Sequence, residues 1–116
     1  MKVMMLIQES AEDFSARGSE GPAAQAYWQL WQDYSAAVND KVVAGNILDH
    51  SNKAVTIRFE GGERQVQDGP YADSKEILGG YMIFEVESMD EALELASTCP
   101  CLPKGALELR PLVEMS

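Results

Sequence analysis

The chain has 116 residues and a formal net charge of −10, from 19 acidic against 9 basic side chains. Its 46% hydrophobic and 24% charged composition points to one globular domain rather than a disordered or fibrous chain. The acidic balance offers no basic face for nucleic acid or an anionic membrane surface. The apolar run at residues 3–7 is too short for a secretory segment or a membrane span, so a soluble, cytoplasmic protein is expected. Cys99 and Cys101 are separated only by Pro100, where a disulfide would be strained, and read as reduced thiols.

Residues 2–8 (Lys-Val-Met-Met-Leu-Ile-Gln) are apolar on both alternating faces, as in a central strand covered on both sides. Residues 9–21 are small and polar, with Gly18, Ser19 and Gly21, and are expected to form a long loop. Pro22 suits the first turn of a helix, where its missing N–H costs nothing. Tyr27, Leu30, Trp31, Tyr34 and Val38 then make one apolar helical face running to about Asp40, read as core or dimer-interface packing. Residues 42–52 form a strand–loop segment without a clear period.

Residues 53–60 alternate, with Val55, Ile57 and Phe59 on one face and Thr56, Arg58 and Glu60 on the other. Gly61-Gly62 sits where a two-residue hairpin turn needs positive φ. That register would place Phe59 opposite Arg64, Ile57 opposite Val66 and Val55 opposite Asp68. Residues 79–87 form a second strand that is apolar on both faces, hence central. Ser88 and Glu91 have capping-box spacing, and Met89, Ala92, Leu93 and Ala96 are expected to be the buried stripe of the helix that follows. Pro100 and Pro103 end that helix. Leu107, Leu109 and Val113 alternate with Glu108 and Arg110 in a half-exposed last strand.

The element order predicts an α+β fold, the ferredoxin-like split βαβ plan with an added β-hairpin. Two helices cover one face of such a sheet. A second copy covering the other face makes a homodimer the expected partner state.

The most distinctive segment is Asp68-Gly69-Pro70-Tyr71, followed by Ser74-Lys75-Glu76 and Gly79-Gly80-Tyr81. Gly-Pro breaks the strand, residues 72–78 have room for one helical turn, and the paired glycines let the backbone re-enter the sheet closely. The pattern resembles the DGPF-type branch of the YCII-related family. The likeness includes the opening Met-Lys-x-Met-x-Leu-Ile, Ala44-Gly45, Thr56-Ile57-Arg58, the run from Glu87 to Glu94, Cys99-Pro100 and the closing Leu107-Glu108-Leu109-Arg110-Pro111. It covers roughly the whole chain.

This resemblance implies a dimeric α/β-barrel of ferredoxin-like subunits. Dimeric barrels of that kind include isomerases, dehalogenating lyases and small monooxygenases that bind aromatic or lactone substrates. It also implies an association of such domains with extracytoplasmic-function sigma factors. Tyr71 stands where the pattern has Phe, and His50 where relatives commonly have Pro. Wider relatives have been proposed to use a His–Asp pair with the His near the first helix, and no His occurs there in this chain.

Candidate chemistry centres on Asp68, either as a general base or ligand acceptor in a pocket, or as an acceptor for the backbone N–H groups of the turn after it. The turn role is the preferred expectation. His50, the one imidazole, is a second catalytic candidate, with an exposed loop position as its bland alternative. Tyr71, Arg58 and Tyr81 are candidate ligand-binding residues beside Asp68. The two cysteines lack the further ligands of a zinc site. Phosphate loop, nucleophile elbow and dinucleotide fingerprint are all missing, so no metal and no cofactor is expected. The expected function is a cofactor-independent isomerase- or lyase-like enzyme acting on a small organic molecule by acid–base chemistry. The alternative is a non-catalytic small-molecule-binding or regulatory module.

Overall fold

The structure, a computed structural model, describes residues 1–72 and 75–115. Strand β1 (Lys2–Ser10) buries every second side chain: Val3, Met5, Ile7 and Glu9. The chain continues through α1 (Ala11–Gly18), α2 (Pro22–Val38), β2 (Val42–Ile47) and the hairpin β3 (Val55–Glu60) and β4 (Glu63–Asp68). It then forms β5 (Glu76–Glu85), α3 (Met89–Ala96) and β6 (Ala106–Pro111). The main sheet has the order β2-β5-β1-β6, antiparallel throughout. Its two central strands are those with apolar residues on both faces. This is the ferredoxin-like α+β arrangement, with the hairpin as a separate two-stranded sheet.

The core lies between the helices and one face of the sheet. Val3, Met5 and Phe84 are fully buried there against Tyr34 and Val38 of α2 and Ala92 and Ala96 of α3. Each large apolar side chain so placed contributes about 1.5–3 kcal/mol. The Tyr34 hydroxyl donates to the Leu95 carbonyl at 2.7 Å, tying α2 to α3, and burial raises its phenol above the usual range. On the other face of the sheet, Met4 pairs with Ile83 and Leu6 with Tyr81; all four are half-buried and lie outside the core that the helices cover.

The hairpin has the expected register: Phe59 opposite Arg64, Ile57 opposite Val66 and Val55 opposite Asp68. Gly61 and Gly62 have φ of 57° and 81°, the left-handed pair that a type I′ turn requires.

Several sequence expectations are corrected. Residues 9–21 are not one loop, because β1 runs to Ser10 and α1 follows. The Ser10 hydroxyl caps α1 by accepting from the Asp13 N–H at 3.1 Å, and Glu12 and Asp13 complement the positive end of the helix. A helix this polar hides in the sequence, since only Phe14 is buried in the core. Residues 76–78 belong to β5 rather than to a helical turn, and Asp73 and Ser74 lie outside the described residues. In α3 Ala92 and Ala96 are buried with Met89 and Leu95 half-buried beside them, whereas Leu93 is 51% exposed. Val113 lies beyond β6 and is exposed. The capping box is half formed: the Glu91 N–H donates to the Ser88 hydroxyl at 3.2 Å, and the Glu91 carboxylate lies 3.7 Å from the Lys41 ammonium instead.

A candidate site on a buried carboxylate

The odd-numbered face of β1 begins with three apolar residues and ends on a carboxylate. Glu9 is 1% exposed. Its Oε1 accepts from the Tyr27 hydroxyl of α2, and its Oε2 lies 3.3 Å from Arg17 Nη1 of α1. Arg17 also donates to the Gly79 carbonyl at 3.1 Å and to the Leu48 carbonyl. Its guanidinium packs 3.8 Å from the centre of the Phe14 ring. The carbonyl of Arg17 in turn accepts from Trp28 Nε1 at 3.3 Å. One cation thereby joins α1, α2, β5 and the segment after β2 around one carboxylate.

Burial raises the Glu9 carboxyl above its ordinary value. Arg17 opposes the shift and Asp13 adds to it. Burial likewise lowers the Arg17 guanidinium, with Glu9 and Asp49 holding it up. A buried pair of this kind is costly to break, because the survivor is left charged in a dry site.

The backbone makes room for this arrangement. A Cβ on Gly79 would lie 2.9 Å from the carboxylate carbon of Glu9 and closer still to Oε2. A Cβ on Gly80 would press on the Asn46 carbonyl at 2.8 Å. The glycine pair of the sequence motif therefore seats Glu9 and keeps β2 close to β5. The register of β1 and β5 shifts at Ile7/Gln8, immediately before Glu9.

Glu9 and Arg17 line one end of a cavity of about 710 Å³ between α2 and the sheet. Its apolar walls include Ile7, Trp28, Trp31 and Met82, while Gln32, Ser35 and Asn39 supply neutral polar groups. A concave, mostly apolar space with a few convergent polar groups and a perturbed acid has the character of a small-molecule site.

The residues singled out in the sequence are divided by the structure. Tyr81 borders the cavity along its strand, but its side chain lies on the sheet face opposite the helices, where its hydroxyl accepts from Asn46 Nδ2 at 2.8 Å. Asp68, Arg58 and Tyr71 lie on or beside the hairpin and do not line the cavity. Arg58 sits 4.7 Å from the centre of the exposed Tyr71 ring. Asp68 is exposed and, among the described residues, accepts no turn N–H, which corrects the preferred expectation. The turn is held instead by the Gly69 N–H on the Ala54 carbonyl at 2.8 Å and the Thr56 hydroxyl on the Gly69 carbonyl at 2.8 Å. His50 is exposed; its Nδ1 accepts from the Asn52 N–H at 3.0 Å, and its ring packs edge-on against Phe14.

Glu9, Arg17 and Tyr27 went unrecognised as a group in the sequence. The parity of β1 held the signal, because Glu9 continues the buried alternation of Val3, Met5 and Ile7. Arg17 and Tyr27 carry no such mark, since their meeting with Glu9 spans eight and 18 positions.

Fold and site together define a ferredoxin-like α+β protein with an open apolar cavity ending on a buried carboxylate. The chain belongs to the YCII-related domain family, whose model matches residues 1–116. It is 35% identical over 91 residues to an uncharacterised protein of Rhizobium meliloti (strain 1021), covering 72% of this chain and 73% of that one. Among solved structures it resembles 5-chloro-2-hydroxyhydroquinone dehydrochlorinase (TftG) from Burkholderia phenoliruptrix AC1100 in complex with 2,5-dihydroxybenzoquinone. The TM-score is 0.57 at 15% identity over 99% of this chain and 96% of that one, a likeness of fold. Among the described residues, no helix is long and apolar enough to cross a membrane.

Proposed function

We propose that this chain takes a small, planar organic molecule into the cavity beneath α2 and acts on it by cofactor-independent acid–base chemistry of isomerase or lyase type. The supporting observation is the buried Glu9 carboxylate at the end of an aromatic-walled cavity. Its desolvation raises its basicity, the property a general base needs. In this reading Glu9 takes a proton from a carbon or hydroxyl of the ligand, and the electron pair moves to a neighbouring carbonyl oxygen. Tyr27 and Arg17 hold the carboxylate in place, and Trp28 and Trp31 offer faces for a flat ring. The similarity in fold to a dehydrochlorinase solved with a dihydroxybenzoquinone agrees with such chemistry. The working unit is a homodimer in which the open sheet face is covered by a second copy.

The non-catalytic reading draws on the same network, because both Glu9 oxygens already have protein donors. Titration with 2,5-dihydroxybenzoquinone and related hydroxylated rings, followed by solvent-deuterium exchange into the ligand, separates the two. Catalysis predicts binding with exchange, and a fall of about 10²–10⁴-fold in exchange for Glu9→Gln with binding kept. Binding without exchange in the unmodified protein assigns a ligand-binding module. Failure of every hydroxylated ring to bind refutes the site.

A further inference from the structure

The hairpin of β3 and β4 is the least explained part of the molecule. Its strands pair with each other and pack substantially on no other element. Every residue of both strands except Thr56 is exposed. Yet one face carries Val55, Ile57, Phe59 and Val66, which are 55–71% exposed. An isolated two-stranded hairpin is marginal in water, and nothing among the described residues covers this row. The Cα radius of gyration is 16.1 Å, against about 13 Å for a compact chain of this length, so the fold is drawn out rather than closed.

We infer that the hairpin is a dimerisation arm, which lays its Val55–Ile57–Phe59–Val66 row on a second copy of this chain. The area favours that occupant. The four side chains expose on the order of 400 Å², about half of the roughly 800 Å² per partner that a stable interface buries. The half-buried sheet face, with Met4, Leu6, Tyr81 and Ile83, adds to that area. A two-fold axis uses each patch twice, so one arm and one sheet face per copy suffice. The opposite face of the hairpin is polar, with Thr56, Arg58 and Gln65, and stays in water. Asp68 then stands at the end of the apolar row, a charge suited to the rim of the contact. The inference rests on the homodimer reading above and adds a second contact surface to it.

Sedimentation velocity across a concentration series tests the arm and the sheet face separately. Phe59→Glu alters the arm at a position outside the core, and Ile57→Ser is the milder companion. Ile83→Lys alters the sheet face. The unmodified chain is expected to be a dimer, and each arm variant to raise its dissociation constant at least tenfold with an unchanged circular-dichroism spectrum. Arm variants that dimerise as tightly as the unmodified chain overturn the arm. If Ile83→Lys alone then dissociates the dimer, sheet pairing stands without the arm. An unmodified chain that stays monomeric at the highest concentration overturns both.

Discussion

Gly79 offers a sharp measurement of how tightly the Glu9 carboxylate is held. In Gly79→Ala the new Cβ would sit 2.9 Å from the Glu9 carboxylate carbon and nearer to Oε2. The carboxylate must then withdraw from Arg17, Tyr27 or both. Each charge-assisted hydrogen bond contributes about 1.5–3 kcal/mol, and alanine regains about 0.5–1 kcal/mol over glycine in a strand interior. The expected net loss is about 2 kcal/mol, or roughly 8 °C in Tm for a domain of this size. Urea denaturation at neutral pH reads it directly. In a Glu9→Ala background the obstacle is gone, and Arg17 keeps the Gly79 and Leu48 carbonyls as acceptors. There Gly79→Ala should be neutral or stabilising, giving a coupling of about 2–3 kcal/mol in the double-mutant cycle. Equal effects in the two backgrounds, within about 0.5 kcal/mol, would refute the seating of Glu9 against Gly79.

Stability should also report the Glu9 proton. Because burial raises its carboxyl above 4.5, the folded chain holds that proton more tightly than the unfolded chain. Its stabilising contribution is complete below 4.5 and is lost as pH rises through the raised folded value. Relative to Glu9→Gln, the unmodified chain should therefore lose stability on going from about pH 4 to pH 8; parallel profiles would contradict this. Asp68→Asn should change the unfolding free energy from urea denaturation by less than about 0.5 kcal/mol, since the side chain is exposed and unbonded among the described residues. Gly69→Val should cost about 1–3 kcal/mol by the same assay, because Gly69 has φ of 102°. Cys99 and Cys101 are pushed up by burial to about 12 and about 11, so both should resist thiol reagents at pH 8 until the chain unfolds. Rapid labelling of the folded protein would show that burial to be wrong.

The fold was legible in local patterns. Double-faced apolar runs marked β1 and β5 as the central strands, an aromatic stripe marked α2, and Gly61-Gly62 set the register of the hairpin one residue at a time. Each of these depends on neighbours within a turn or a strand, which is the range over which periodicity carries information. Helix α1 escaped because its face toward the core is little more than Phe14, too narrow a stripe to stand out from a polar loop. The site escaped for a different reason. The Asp68 turn drew notice because Gly and Pro punctuate it, yet it closes an exposed hairpin and does not line the cavity. Glu9, Arg17, Tyr27 and Gly79 are ordinary residues at separate places in the chain, and only the packing of α1 and α2 on β1 and β5 turns them into one desolvated cluster. By itself the sequence determined which segments pair and which faces are apolar. Tertiary structure decided where a charge loses its water, because desolvation depends on everything that surrounds a group and not on its neighbours along the chain.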